Sequence, residues 1–334
     1  MFNNWFNPYE LAQFTRRIRV DPMFRQRLIK KLHITRHSRI KASWAHTESL
    51  SSGWWDIPEI QKRWNMMISG DEEVTHREYV VRKYYSNYSM LNGLSIGCGS
   101  GGSEINWART GIFRNIDAYD LSPKRILAAV KSSAELPEGK IINYNVGDIN
   151  LVTLPDSAYD IVLFEHSLHH FSAIEGLLRR IASTLKPGGL LVANEFVGPS
   201  RFQWTDVQLT VVNTALADIP PSYRTVYGSS YLKDRVIRPS KLRMWMSDPS
   251  EAVESSKILP MLSSQFHIME TRGYGGAVLH LLFSDIAHHF TRPDAIGDRI
   301  LQRCFRIEDA MLSSHELEHD FALIICRRDA HSPA

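Results

Sequence analysis

Short apolar runs alternate with helical stretches through the middle of this chain, and that rhythm sets the first expectation. The runs occupy residues 94–97, 116–120, 141–146, 161–165 and 190–197. Between them, residues 123–135 and 174–185 repeat apolar positions at helical spacing; Ile174, Leu177, Leu178, Ile181 and Leu185 fall on one stripe. Strands apolar on both faces, alternating with helices, predict an α/β fold, a doubly wound parallel sheet covered on both sides. Two later runs, 266–271 and 321–326, predict further strands. Between these, Leu279, Leu282, Phe283, Ile286 and Phe290 predict a helix ended by Pro293, and a second helix extends to about Leu312.

Four zones follow from this pattern. Residues 1–88 form a helical N-terminal extension, holding five of the eight tryptophans. Residues 89–198 form the Rossmann-like core. Residues 199–262, interrupted by Pro199, Pro220, Pro221, Pro239, Pro249 and Pro260, read as an inserted cap, and 263–328 complete the sheet.

Composition narrows the class. At 334 residues with 43% hydrophobic and 22% charged positions, the chain has the balance of a soluble globular protein. No apolar run reaches the roughly 18–20 residues that would cross a bilayer. The N-terminus lacks the pattern of a secretory signal. Three distant cysteines, Cys98, Cys304 and Cys326, fit a reducing compartment and argue against disulfides or a zinc site, so a cytoplasmic protein is expected. The net charge of +3 is too small to imply nucleic acid. Residues 11–41 nevertheless hold ten Lys or Arg against one acid, Asp21. That stretch reads as a solvated amphipathic helix pair, or as a docking face for an anionic substrate or membrane surface.

Residues 94–104 carry the strongest chemical signal. The first run breaks into Gly97-Cys98-Gly99-Ser100-Gly101, a turn whose missing Cβ atoms admit a nucleoside closely, and a helix near Ser103 would aim its amides at the ligand. Asp120 ends the second run, a little over twenty residues past the first glycine, where an acid can bond both ribose hydroxyls. These features fit a nicotinamide dinucleotide as well as S-adenosylmethionine. Two others discriminate: Gly147-Asp148-Ile149, whose acid can accept an adenine amine, and the Lys186-Pro187-Gly188-Gly189 turn. No Tyr-x-x-x-Lys dyad stands where hydride chemistry would need it.

Together, residues 94–102, Asp120, Asp148, 159–164 and 185–192 resemble the successive motifs of class I S-adenosylmethionine-dependent methyltransferases. The resemblance covers about residues 90–198 and implies a seven-stranded sheet whose last strand is antiparallel and inserted beside the fifth. It implies that Gly97, Gly99 and Gly101 line the methionine moiety, that Asp120 holds ribose and that Asp148 contacts adenine. Cys98, Leu121, Ile149 and Glu165 complete the cofactor set. One departure stands out: Ser95 occupies the place where the family has an acid, and Glu104 on the following helix is the candidate to compensate. Residues 194–204 and 275–280 with 285–287 are also similar to bacterial members with unassigned or glycan-related substrates.

The acceptor side is read from Glu165-His166-Ser167-Leu168-His169-His170-Phe171, beyond the fourth strand. A neutral imidazole there can take a hydroxyl proton as general base. His169 is the first candidate, then His170 and His166; each can equally shape the turn or cap the next helix. Glu195 can hold a substrate hydroxyl or orient a histidine. Arg201, Gln203 and Trp204 suit a sugar or other small-molecule acceptor, with Tyr223 a weaker lid candidate. Adjacent histidines rarely point the same way, so no metal is expected. The leading expectation is O-methylation of a small molecule or glycan. Methylation of a prenyl diphosphate at carbon is the alternative within the class; a nicotinamide-dependent oxidoreductase and a non-catalytic cofactor-binding scaffold are alternatives outside it. Nothing in the sequence sets the oligomeric state.

Overall fold

The structure is a computed structural model that describes residues 4–5, 7–10 and 53–328. The basic stretch 11–41 lies outside the described residues. Within residues 53–90 two α-helices precede the sheet: α1 (Pro58–Ser69), started by proline and stopped by Gly70 in the left-handed region, and α2 (His76–Tyr84), whose Thr75 and Glu78 form a reciprocal capping box. The core then alternates β1 (Leu91–Ile96), α3 (Gly102–Ala108), β2 (Phe113–Asp120), α4 (Pro123–Ser133), β3 (Ile142–Val146), β4 (Tyr159–Glu165), α5 (Ile174–Thr184) and β5 (Leu185–Phe196). The cap contributes α6 (Asp206–Ala217) and α7 (Lys241–Ser247). The chain continues with α8 (Ile258–Gln265), β6 (His267–Gly273), α9 (Leu279–Phe283), α10 (Ala295–Ser313) and β7 (Phe321–Arg327).

The seven strands lie in the order β3-β2-β1-β4-β5-β7-β6, and β7 runs antiparallel between β5 and β6. That is the sheet the family resemblance implies. Alternation along each strand divides the core. Ile161, Leu163, Val192 and Ile325 face one layer with α3, α9 and α10, whereas Val162, Phe164, Leu191 and Ile324 face the other with α5 and α8. The α5 stripe is buried as expected, Ile174, Leu177, Leu178 and Ile181 each contributing about 1.5–3 kcal/mol.

Two expectations need correction. The apolar segment after residue 278 is not one helix: Asp285 takes a left-handed φ of 68°, and α9 stops at Phe283 before a short 3-10 turn at Ala287–Phe290. The cap also ends earlier than 262, because α8 buries Ile258 and Leu262 in the sheet's second layer. The cap is fixed to the core by polar contacts. Lys233 donates to the Leu281, Leu282 and Ser284 carbonyls at the end of α9, and Gln208 Nε2 donates to Asp320 Oδ2 and the Ala277 carbonyl.

Candidate active site

Strand order reverses between β1 and β4, the place where an open α/β sheet leaves a crevice at its carboxyl edge. Gly97 and Cys98 leave β1 with both amides on the Tyr119 carbonyl, at 2.8 and 3.1 Å. Gly97 has φ 75°, and a Cβ there would lie 2.6 Å from that of Ser167, so the turn requires glycine. Asp120, 2% exposed, accepts from the Gly99 amide (2.9 Å) and the Ser122 amide (2.7 Å), tying the glycine turn to the start of α4. The resulting cleft is lined by Gly97, Asp120, Leu121, Asp148 and Ile149, with His170, Phe171 and Ser250 opposite. Asp148 accepts from the amide and side chain of Asn150.

Beneath the turn, the Ser95 hydroxyl donates to Glu104 Oε1 at 2.7 Å. Both residues are buried, and Glu104 Oε2 has no partner among the described residues. Burial pushes this carboxyl up to about 7, against the lowering effect of the Ser95 bond. The strand position that lacks an acid is therefore bonded to an acid from the neighbouring helix.

The edge beyond β4 is organised by Glu195 at the end of β5, fully buried. Its Oε1 accepts the Ser167 and Leu168 amides, both at 2.6 Å, and its Oε2 lies 2.7 Å from His169 Nδ1. Burial alone would lower the His169 pKa, but the charge and hydrogen bond of Glu195, with Glu251 adding, raise it; the Glu195 carboxyl is held below its usual range by the same pairing. Nδ1 is thereby kept as the donor, and Nε2 turns toward Glu251 Oε1 at 3.6 Å. His170 Nδ1 faces the other oxygen of Glu251 at 3.8 Å. Contrary to the expectation that adjacent histidines diverge, a 3-10 turn at Leu168–His170 brings both to one carboxylate. His166 goes elsewhere: with φ 53° it packs against Phe321 and lies 3.4 Å from Asn194 Nδ2, and burial lowers its pKa.

Glu165 is not open to a ligand as the sequence reading had it. His76 (2.9 Å) and Trp107 (2.6 Å) bond its Oε1, while Arg77 (3.3 Å) and Asn194 (3.1 Å) reach its Oε2. Those four contacts fill a carboxylate's acceptor sites. Burial alone would raise this carboxyl, yet Arg77 and His76 hold it far below its usual range.

The cap candidates also shift. Arg201 donates to the Pro249 and Glu251 carbonyls, and Gln203 to those of Arg201 and Pro239, so both shape the cap backbone. Tyr223 bonds Asp294 at the start of α10. Trp204 stacks on Phe202 (5.2 Å, 10°), and its buried Nε1 has no partner among the described residues. Sequence reasoning missed Glu251, Ser250, His76 and Arg77; none belongs to a motif, and only tertiary packing brings them to the sheet edge.

Residues 94–193 match the family model of a methyltransferase domain. The chain is 35% identical over 157 residues to a demethylmenaquinone methyltransferase of Tropheryma whipplei, covering 47% of this chain and 63% of that protein. It is 28% identical to a ubiquinone biosynthesis O-methyltransferase of Xanthomonas euvesicatoria, covering 62% of this chain and 78% of the relative. A solved S-adenosylmethionine-dependent methyltransferase from Mesorhizobium loti aligns with 75% of this chain and 97% of its own at 17% identity and a TM-score of 0.42. The chain thus spans under two thirds of the demethylmenaquinone enzyme. Among the described residues, no helix is long and apolar enough to cross a membrane.

Proposed function

We propose that the protein transfers a methyl group from S-adenosylmethionine to a hydroxyl of a small-molecule acceptor, with His169 as general base, and the match of residues 94–193 to a methyltransferase-domain model supports this. The observation that carries this reading is the buried Glu195–His169 pair at the edge of the cleft. Glu195 sets the tautomer, leaving the Nε2 lone pair to receive the proton. The two curated relatives named above are small-molecule methyltransferases by their names, which supports an acceptor of that kind.

The residues fit the cofactor. Gly97–Gly101 would admit its methionine end, Asp120 would hold the ribose and Asp148 the adenine; the unpartnered Glu104 oxygen offers an acceptor for an ammonium. Bound there, S-adenosylmethionine supplies an electrophilic methyl group. The chain's own part is to orient and deprotonate. Glu195 orients His169, and His169 accepts the hydroxyl proton as the acceptor oxygen takes the methyl group.

Two experiments test this. Labelled S-adenosylmethionine is incubated with the protein and a cell extract separated into small metabolites, lipids, glycans and macromolecules. Label in the small-metabolite or lipid fraction is expected; label confined to macromolecules or glycans overturns the acceptor class. In calorimetry, Asp120→Ala should weaken S-adenosylmethionine by about 10- to 100-fold, as the loss of a charged hydrogen-bond acceptor implies. Unchanged affinity would remove Asp120 from the site.

A further inference from the structure

His169, His170 and Glu251 present three ligand atoms that all lie within 4.8 Å of one another. We propose that they form a site for a divalent cation of the zinc class, which locks the cap onto the sheet edge. The donor set is two imidazoles and one carboxylate, a set that suits zinc and leaves a position open. Zinc bonds of about 2.0–2.1 Å place tetrahedral ligand atoms roughly 3.3 Å apart. The separations from Glu251 to His169 (3.6 Å) and to His170 (3.8 Å) are already close to that value. The two imidazole nitrogens lie within 4.8 Å of each other, and small rotations of the three side chains, with Glu251 27% exposed, would bring the set to that spacing.

The support around these ligands is the kind a metal site needs. His169 Nδ1 is bonded to the buried Glu195, which points Nε2 outward and makes it more basic. The segment bearing Glu251 is held in place by the Val253 amide on the His169 carbonyl and by Arg201 on the carbonyls of Pro249 and Glu251. Two carboxylates, Glu195 and Glu251, balance the charge of a divalent ion. The ligands come from two parts of the chain, the turn after β4 and the cap, so one ion would cross-link them.

The consequence for turnover rests on the base proposed above; the site itself does not. The Nε2 lone pair holds a cation or a proton, not both. The ion also fixes Glu251 beside Nε2, where an acceptor hydroxyl has to come. Cation binding and methyl transfer are therefore mutually exclusive.

The test uses the full chain with zinc, and with cobalt as a spectroscopic substitute. One ion per chain is expected, with a tetrahedral cobalt absorption band and a raised melting temperature. Glu251→Gln and His170→Ala should each weaken binding more than about 10-fold, and Glu195→Gln by about 10- to 100-fold as a second-sphere change. Absence of binding, or binding unchanged in both Glu251→Gln and His170→Ala, overturns the site. With an acceptor in hand, zinc should slow transfer in the unaltered protein and much less in Glu251→Gln; a rate that rises with zinc overturns the lock. Loss of turnover in His169→Ala with no zinc binding to the unaltered protein would leave the base standing and the metal site refuted.

Discussion

Alanine in place of His169 is expected to slow methyl transfer by about 10²–10⁴-fold, the usual contribution of a positioned base, while S-adenosylmethionine affinity stays near that of the unaltered protein. The affinity should persist because the donor cleft is built from Gly97, Asp120, Asp148 and their neighbours, with His170 rather than His169 among its walls. The pH profile provides an independent check. Glu195 and Glu251 raise the His169 pKa above the usual 6.5, and a base acts only when neutral. The rate should therefore climb with pH through that raised value, with its acid limb midpoint above 6.5. Glu195→Gln removes the charge that raises it, so the limb should move to lower pH as the plateau falls. A limb that stays in place would show that another group titrates. An unchanged rate in His169→Ala would dismiss the base altogether.

Glu104→Gln should have opposite effects on binding and on stability. In the proposed site, losing the carboxylate removes the charged acceptor for the cofactor's ammonium, so affinity should fall about 10- to 100-fold. The unliganded protein should gain stability at alkaline pH. The Glu104 carboxyl sits at about 7 in the fold against an ordinary 4.5, so the native state holds its proton more tightly than the unfolded chain does. Stability from this group is complete below pH 4.5 and is lost as pH rises toward 7, in total about 3 kcal/mol. The substituted protein should melt higher at pH 8 and match the unaltered protein near pH 4. Equal melting curves at both pH values would mean that Glu104 ionises freely. Binding an ammonium would also expel the proton, which calorimetry in buffers of different ionisation enthalpy can count.

The parallel part of the sheet and the residues that line the cleft at its carboxyl edge were legible because their signals are local. Strands buried on both faces read as apolar runs, and a glycine turn followed at set distances by Asp120 and Asp148 follows from backbone geometry. Ser95 with Glu104 was legible for the same reason: nine positions separate them, one strand-to-helix step apart. The histidine edge beyond β4 was legible only in part. Its histidines are adjacent in sequence, but their shared direction depends on a 3-10 turn and on Glu251, more than eighty positions away. Arg201 and Gln203 looked like ligands because their donors were visible in sequence and the carbonyls they satisfy were not. The break after Phe283 depends on a left-handed backbone at Asp285, which no hydrophobic pattern announces.

The clasp of Arg77 and His76 on Glu165 bears on where the smallest folding unit begins. A buried carboxylate that loses its counter-charge costs about 3–5 kcal/mol, a large part of a domain's net stability. Of its four partners, the two basic ones, His76 and Arg77, sit on α2, ahead of the first strand. A chain trimmed at residue 89, where the nucleotide-binding pattern starts, would keep every motif and strip the sheet of its internal counterion. The boundary of the motifs is thus not expected to be the boundary of stability, and melting of the trimmed chain well below the full one is the outcome that checks it.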